Sequence, residues 1–369
     1  VITVSSGCTP AAVARAWWRI NKGEEMTTFP DMVYQLGGVP AGMSRLRDLW
    51  NKDNIYFVDG YAGSASNSGL RPDRALALPS QAISKCSAGA SIYIRPIGVN
   101  YDQSSTSNYQ FYTDDIVIPY GKSGIALIGA GEPTPMWYGG VAIRPSTVTD
   151  SLIKVRSNSN VIENMNLTLN GGTADQSVAD GPQSIIELHR DGSVSRCYGN
   201  TIRGNRFAED KSSPETSGFS GAVGAGTAQY LIVEDNIFEA CLGGVTVVAH
   251  AGDAKNTYIR RNTFSGLCAS RDCDVMISIN SVGSNAILVA DNMFVDGVPV
   301  HSGGNSLNFI QFVYQTAGTG LLANNYFATD VAEAAEDGAD VVTSDTFFYA
   351  GLYYEGQATT APYGLMTND

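Results

Sequence analysis

The sequence holds only three histidines, and one strand-like stretch alternates a carboxylate with one of them: Ile185-Ile-Glu187-Leu-His189. A second stretch, Val245-Thr-Val-Val-Ala-His250, carries another histidine. Residues two apart on a β-strand share a face. Glu187 and His189 therefore point the same way, and His250 joins them if the two strands lie in one sheet. A carboxylate beside imidazoles is suited to general acid–base catalysis. Cleaving a glycosidic bond, however, takes two carboxylates about 5–10 Å apart. The outward residues of the neighbouring stretches are Thr246 and Val248, then Met276, Ser278 and Asn280, then Gln311, Val313 and Gln315. None is a second acid. A proton-abstracting lyase would want a calcium-binding Asp cluster and a basic residue, and these stretches supply neither. Glu187, His189 and His250 are the catalytic candidates, and a solvated strand face is the better account of them.

The other acids carry less. Glu234, Asp235, Asp272, Asp274 and Asp291 lie in or beside turns, where solvated carboxylates are ordinary. Asp272-Cys273-Asp274 would enter a site only across a subunit interface. Asp59 and Asp73 lack the oxygen spacing of an EF-hand loop, and calcium is not expected. The cysteines (Cys8, Cys86, Cys197, Cys241, Cys268 and Cys273) are scattered, with no Cys-x-x-Cys or histidine pairing. They make neither a disulfide framework nor a zinc site, and Cys241 and Cys268, at comparable places in successive repeats, predict small buried thiols. No metal and no cofactor is expected. A net charge of −13 argues against nucleic acid, whose phosphates need Lys and Arg, and against anionic membrane surfaces. No apolar run approaches the roughly 18 residues of a membrane span. Val1-Ile-Thr-Val-Ser-Ser6 lacks the basic and apolar regions of a signal peptide, which a mature form would have lost.

The elements that must position Glu187 and the histidines are announced by a repeat. Ile202-Arg-Gly-Asn205-Arg-Phe207, Val233-Glu-Asp-Asn236-Ile-Phe238, Ile259-Arg-Arg-Asn262-Thr-Phe264, Val289-Ala-Asp-Asn292-Met-Phe294 and Leu322-Ala-Asn-Asn325-Tyr-Phe327 are one phrase. Their asparagines are 31, 26, 30 and 33 residues apart. A fixed phrase at a period of roughly 20–50 residues marks a solenoid, one repeat to a coil. The phrase predicts strand, tight bend, strand, with Asn in the left-handed conformation of the bend and its amide bonding the coils above and below. The phenylalanines should stack likewise. Helical repeats would show 3.6-residue periodicity instead of these Val-, Ile-, Thr- and Asn-rich segments. A degenerate copy, Val161-Ile-Glu-Asn164-Met-Asn166, precedes the series. Gly and Tyr are abundant and charged residues only 16%, the balance of a turn-rich β protein.

Asn205, Asn236, Asn262, Asn292 and Asn325 resemble the asparagine ladder of right-handed parallel β-helices of the pectate-lyase type. The resemblance spans about residues 90 to 330. It is specific for architecture and not for chemistry, because the fold carries lyases, hydrolases, adhesins and viral spikes alike. It implies that glycan sites, where present, line one long sheet or a groove between subunits. It also implies coil faces buried against two neighbours, hence a homotrimer.

Upstream of the repeat, Ile55–Asp59 reads as a strand, residues 60–73 as a Gly/Ser/Asn-rich loop, Pro79–Lys85 as a short helix and Ala90–Pro96 as the next strand. This order resembles the entry of many phage and bacterial β-helix proteins. Asp115–Pro119 and Gly124–Gly129 are further strand phrases, and 170–182 and 208–220 read as loops. Residues 1–54 differ from the rest: three short helices, with Trp17, Trp18, Met43, Leu46 and Trp50 as apolar residues suited to docking or to capping the solenoid. Residues 55–330 are the β-helix, and 331–369 a C-terminal cap or subunit contact. The whole reads as a mainly β chain, a right-handed parallel β-helix with a small helical N-terminal segment. Its resemblance is strongest to bacteriophage virion spike and capsid decoration (cement) proteins. That implies a structural protein on the virion surface, bound to the major capsid protein or another virion protein and possibly to a host surface glycan. The alternatives are a secreted or tailspike carbohydrate-active enzyme and a bacterial surface adhesin.

Overall fold

The computed structural model describes residues 54–97, 111–130, 140–146, 151–169, 184–188, 197–209, 221–226, 228–239, 243–248, 256–265, 275–280, 285–295, 308–312, 319–328, 347–350 and 353–354. The helical segment expected before Asn54, with Trp17, Trp18, Met43, Leu46 and Trp50, lies outside them, as do His189 and His250.

The chain visits three sheets in a repeating order. Ser184–Leu188 lies in a seven-stranded sheet, Thr201–Arg203 in a ten-stranded sheet and Arg206–Glu209 in a nine-stranded one. Gly221–Ala225 then pairs in parallel with Ser184–Leu188 and begins the next coil. All the sheets are parallel, so the molecule is the mainly β parallel solenoid that the repeat predicts. Phe347–Ala350 and Tyr353–Tyr354 add to the stack beyond residue 330, pairing with Gly320–Ala323 and Tyr326–Phe327.

One core runs the length of the stack. Down the inner face of the ten-stranded sheet, Ile92, Leu127, Ile162, Ile202, Val233, Ile259, Val289 and Leu322 stand in register and are buried. Each such side chain contributes about 1.5–3 kcal/mol by leaving water. From the nine-stranded sheet come the phenylalanines. Phe207, Phe238, Phe264 and Phe294 stack at centroid distances of 4.8, 4.7 and 5.0 Å with interplanar angles of 10° or less. On the next strand Phe327 pairs in register with Phe294. Coils in register place identical rings at the strand spacing, and the pile follows.

The asparagine ladder is present. Asn262 Nδ2 donates to Val233 O at 2.9 Å and to Asn292 Oδ1 at 3.0 Å, while its Oδ1 accepts from Asn236 N and Nδ2, both at 3.0 Å. Asn205, Asn236, Asn292 and Asn325 make the matching bonds. Two expectations are corrected. The ladder asparagines do not take the left-handed conformation; the residue before each does, namely Gly204, Asp235, Arg261, Asp291 and Asn324. The degenerate copy is also displaced by one position. Asn164, with φ of 58°, matches Gly204, and Met165 stands in the ladder with its N–H donating to Asn205 Oδ1. A second, shorter ladder forms at the other end of the ten-stranded sheet's strands, where Asn160 Nδ2 donates to Asn200 Oδ1 at 2.9 Å. Where coils come closest no side chain fits: a Cβ on Gly129 would lie 1.9 Å from Asn164 O.

The entry matches the sequence. Ile55–Asp59 and Ser91–Arg95 are paired strands, and Pro79–Lys85 is a helix that buries Pro79, Ala82 and Ile83 over the first coils. Its start is held by Asp114, whose Oδ2 accepts from Ser80 N at 2.7 Å. Cys86 and Cys197 are buried free thiols; Cys241 and Cys268 lie outside the described residues. The strand Arg206–Glu209 reaches into the stretch expected to be a loop from Ala208.

Candidate functional site

Strand register assembles the row that the sequence pattern predicts on the seven-stranded sheet. Val117, Lys154, Glu187, Gly224, Thr246, Ser278 and Gln311 follow one another across it. Glu187 is its one carboxylate. It is not, however, on a solvated face. Ile185, on the same side of the strand, is wholly buried, and Glu187 is 7% exposed. Burying a carboxylate demands partners, and Glu187 has them. Arg156 Nη1 donates to its Oε1 at 2.8 Å and Ser151 Oγ to its Oε2 at 2.9 Å. Ser151 Oγ in turn accepts from Ser184 N. Both oxygens of Glu187 are therefore engaged in holding strands together. A general acid or base has to offer an oxygen to substrate; this one would first have to break an ion pair.

The turn acids differ from expectation too. On the outer face of the ten-stranded sheet Glu163, Arg203, Glu234 and Arg260 stand in one cross-strand row. Arg260 bonds Glu234 at 2.8 Å and Arg203 bonds Glu163 at 2.5 Å. Glu234, read as a solvated turn residue, is 9% exposed and is also held by Arg261 at 2.9 Å. Asp235 forms a bidentate pair with Arg261, at 2.8 and 2.9 Å. The Arg261 hydrogen bonds hold the Asp235 carboxyl below its ordinary range, against the opposing effect of burial. Alternating charges opposite one another stabilise adjacent strands.

Metal chemistry finds no cluster of three or more His, Cys, Asp or Glu among the described residues. Asp59, where calcium was considered, uses Oδ1 to accept from Tyr61 N and Ala62 N and Oδ2 to accept from Arg95 at 2.6 Å. Burial pushes its carboxyl up, but those bonds outweigh it and hold it low. Asp73 is paired with Arg71 at 3.0 Å. Asp59 therefore anchors the loop that follows it.

One surface feature had no counterpart in the sequence reading. Tyr198 and Tyr230, on successive coils, are 41% and 51% exposed, with ring centroids 6.5 Å apart at 42°. They sit at the bend leading into the ten-stranded sheet. A second series of left-handed residues runs through that bend: Gly89, Gly124, Ser159, Gly199, Tyr230, Asn256 and Ala286. A signal for it was available, since Gly199 and Gly204, Tyr230 and Asp235, and Asn256 and Arg261 are equally spaced pairs bracketing each strand.

No protein-family model matches the chain, and no curated protein matches it at a significant level. Among solved structures the chain is similar to a pectin methylesterase from Aspergillus niger in deglycosylated form, at 12% identity and a TM-score of 0.45 over 83% of this chain and 87% of that one. It is similar to a pectin methylesterase in complex with a hexasaccharide, at 10% identity and a TM-score of 0.38 over 84% and 91%. A GH136 lacto-N-biosidase from Eubacterium ramulus matches at 11% identity and a TM-score of 0.36 over 94% and 73%. Similarity at this level does not decide chemistry.

Proposed function

We propose that the chain is a non-enzymatic structural protein of a phage virion: a homotrimeric β-helix decoration (cement) or spike protein. Its N-terminal segment, with Trp17, Trp18, Met43, Leu46 and Trp50, attaches it to the major capsid protein or another virion protein. The observation that carries the reading is the state of Glu187. The predicted outward row holds one carboxylate among the described residues, and Arg156 and Ser151 use both its oxygens. A stack built so fully of internal bonds suits a rigid projection. The resemblance of the entry segment to phage and bacterial β-helix proteins supplies the biological setting.

A second reading is a carbohydrate-active tailspike, or a polysaccharide lyase or hydrolase. It is favoured by Glu187 itself, the carboxylate of the row, should a ligand displace Arg156 or Ser151 from it. A second acid would then have to come from outside the described residues or from a neighbouring subunit. Incubation of the full chain and Glu187→Gln with a panel of surface polysaccharides separates the two. The structural reading expects no cleavage by either protein. Cleavage by the wild type that is lost in Glu187→Gln contradicts it.

A further inference from the structure

A tyrosine in the left-handed conformation needs a reason. Side chains with a Cβ resist positive φ, and bulky ones adopt it only where the surroundings impose it. Tyr230 has φ of 54°, yet the rest of its series is Gly89, Gly124, Ser159, Gly199, Asn256 and Ala286, all residues that are small or take this conformation readily. Arg261 is another bulky residue with positive φ, and its bidentate bond to Asp235 offsets the strain that the bend imposes. Tyr230 has no such return within the fold. Its side chain is half in solvent, and among the described residues neither its phenol nor that of Tyr198 is hydrogen-bonded. Stability alone would favour glycine here. Strain returned by nothing more than a tilted ring contact with a second exposed aromatic is the kind that a binding position holds.

We propose that Tyr198 and Tyr230 form a non-catalytic subsite for a neutral glycan, stacking on the C–H face of one or two pyranose rings. An aromatic ring presents a negative face, which attracts the positively polarised C–H bonds of a sugar. Among the described residues around the pair the surface is polar or small. Ser159 and Gly199 are exposed, and Asn158 and Asn256 are half-buried. Sugar hydroxyls need such polar neighbours, whereas a protein-docking patch needs a contiguous apolar surround, which the described residues around the pair do not supply. Tyr198 is held in place because Asn158 Oδ1 accepts from its N–H at 2.9 Å and its carbonyl accepts from Ser159 N at 2.7 Å. With a net charge of −13, the protein disfavours anionic polysaccharides.

The test is calorimetric titration of the full chain with neutral hexasaccharides of glucose, mannose, galactose and N-acetylglucosamine, with hexagalacturonate as the charged counterpart. At least one neutral sugar should bind. Tyr198→Ala and Tyr230→Gly should each weaken it by about tenfold, the worth of one stacking contact. Tyr230→Gly should melt no lower than the wild type, since glycine takes positive φ freely; loss of binding is then not loss of fold. Binding of no sugar, binding of hexagalacturonate alone, or full-strength binding by Tyr230→Gly overturns the proposal. So does a Tyr230→Gly protein that loses attachment to a particle while the wild type binds no sugar, because the pair is then a protein contact. The titration needs no particle, so this inference and the virion assignment stand or fall separately.

Discussion

Asn262 concentrates the energetics of the ladder in one amide. Its replacement by Leu removes partners from Asn236 N and Nδ2, Val233 O and Asn292 Oδ1, all buried between coils. A buried group left unsatisfied costs about 1–3 kcal/mol, so Asn262→Leu should lower stability by about 3 kcal/mol or more in urea unfolding. A change within a few tenths of a kcal/mol would remove the ladder from the account. Asp235 makes a pH prediction. Its carboxyl is held low in the fold by Arg261. Its contribution is therefore fully present above the ordinary carboxylate pKa of about 3.9 and is lost as pH falls below that value and through the lowered pKa of the folded state. Stability of Arg261→Gln should fall less steeply than that of the wild type as pH drops below about 4. Equal slopes would show that the pair is energetically silent. The ladder was readable because only asparagine offers a donor and an acceptor at that reach. The left-handed position beside it was partly legible too, since Asn164, Gly204, Asp235, Asp291 and Asn324 are types that adopt this conformation readily, but the ladder asparagine next to it invites the same reading. At Arg261, the exception, the stacked bend imposes the conformation against local propensity.

At the level of elements, the phenylalanine pile and the inner aliphatic rows join one sheet to the next. Phe264 sits between Phe238 and Phe294 and is 1% exposed. Phe264→Ala should cost about 3–5 kcal/mol, measured by the shift in denaturant midpoint at unchanged slope. A much smaller loss would mean that the coils collapse around the vacancy. Strand order, the entry helix Pro79–Lys85 and the row through Glu187 all followed from sequence, since period-two alternation assigns faces. The burial of Glu187 did not. Alternation tells which way a side chain points, but not whether that face is covered, and the partners Ser151 and Arg156 lie more than thirty residues away in the chain. The Tyr198–Tyr230 pair escaped for the same reason, because it exists only once coils are stacked.

For the whole molecule, stacking repeats into a rod leaves each coil supported chiefly by its neighbours, and association of three rods through their faces is the proposed assembly. Light scattering of the full chain tests this most directly. The structural virion reading predicts a single species at three times the chain mass of 39.1 kDa, with no change on dilution through the micromolar range. A monodisperse species at 39.1 kDa under the same conditions would contradict it and move the assignment to the carbohydrate-active reading.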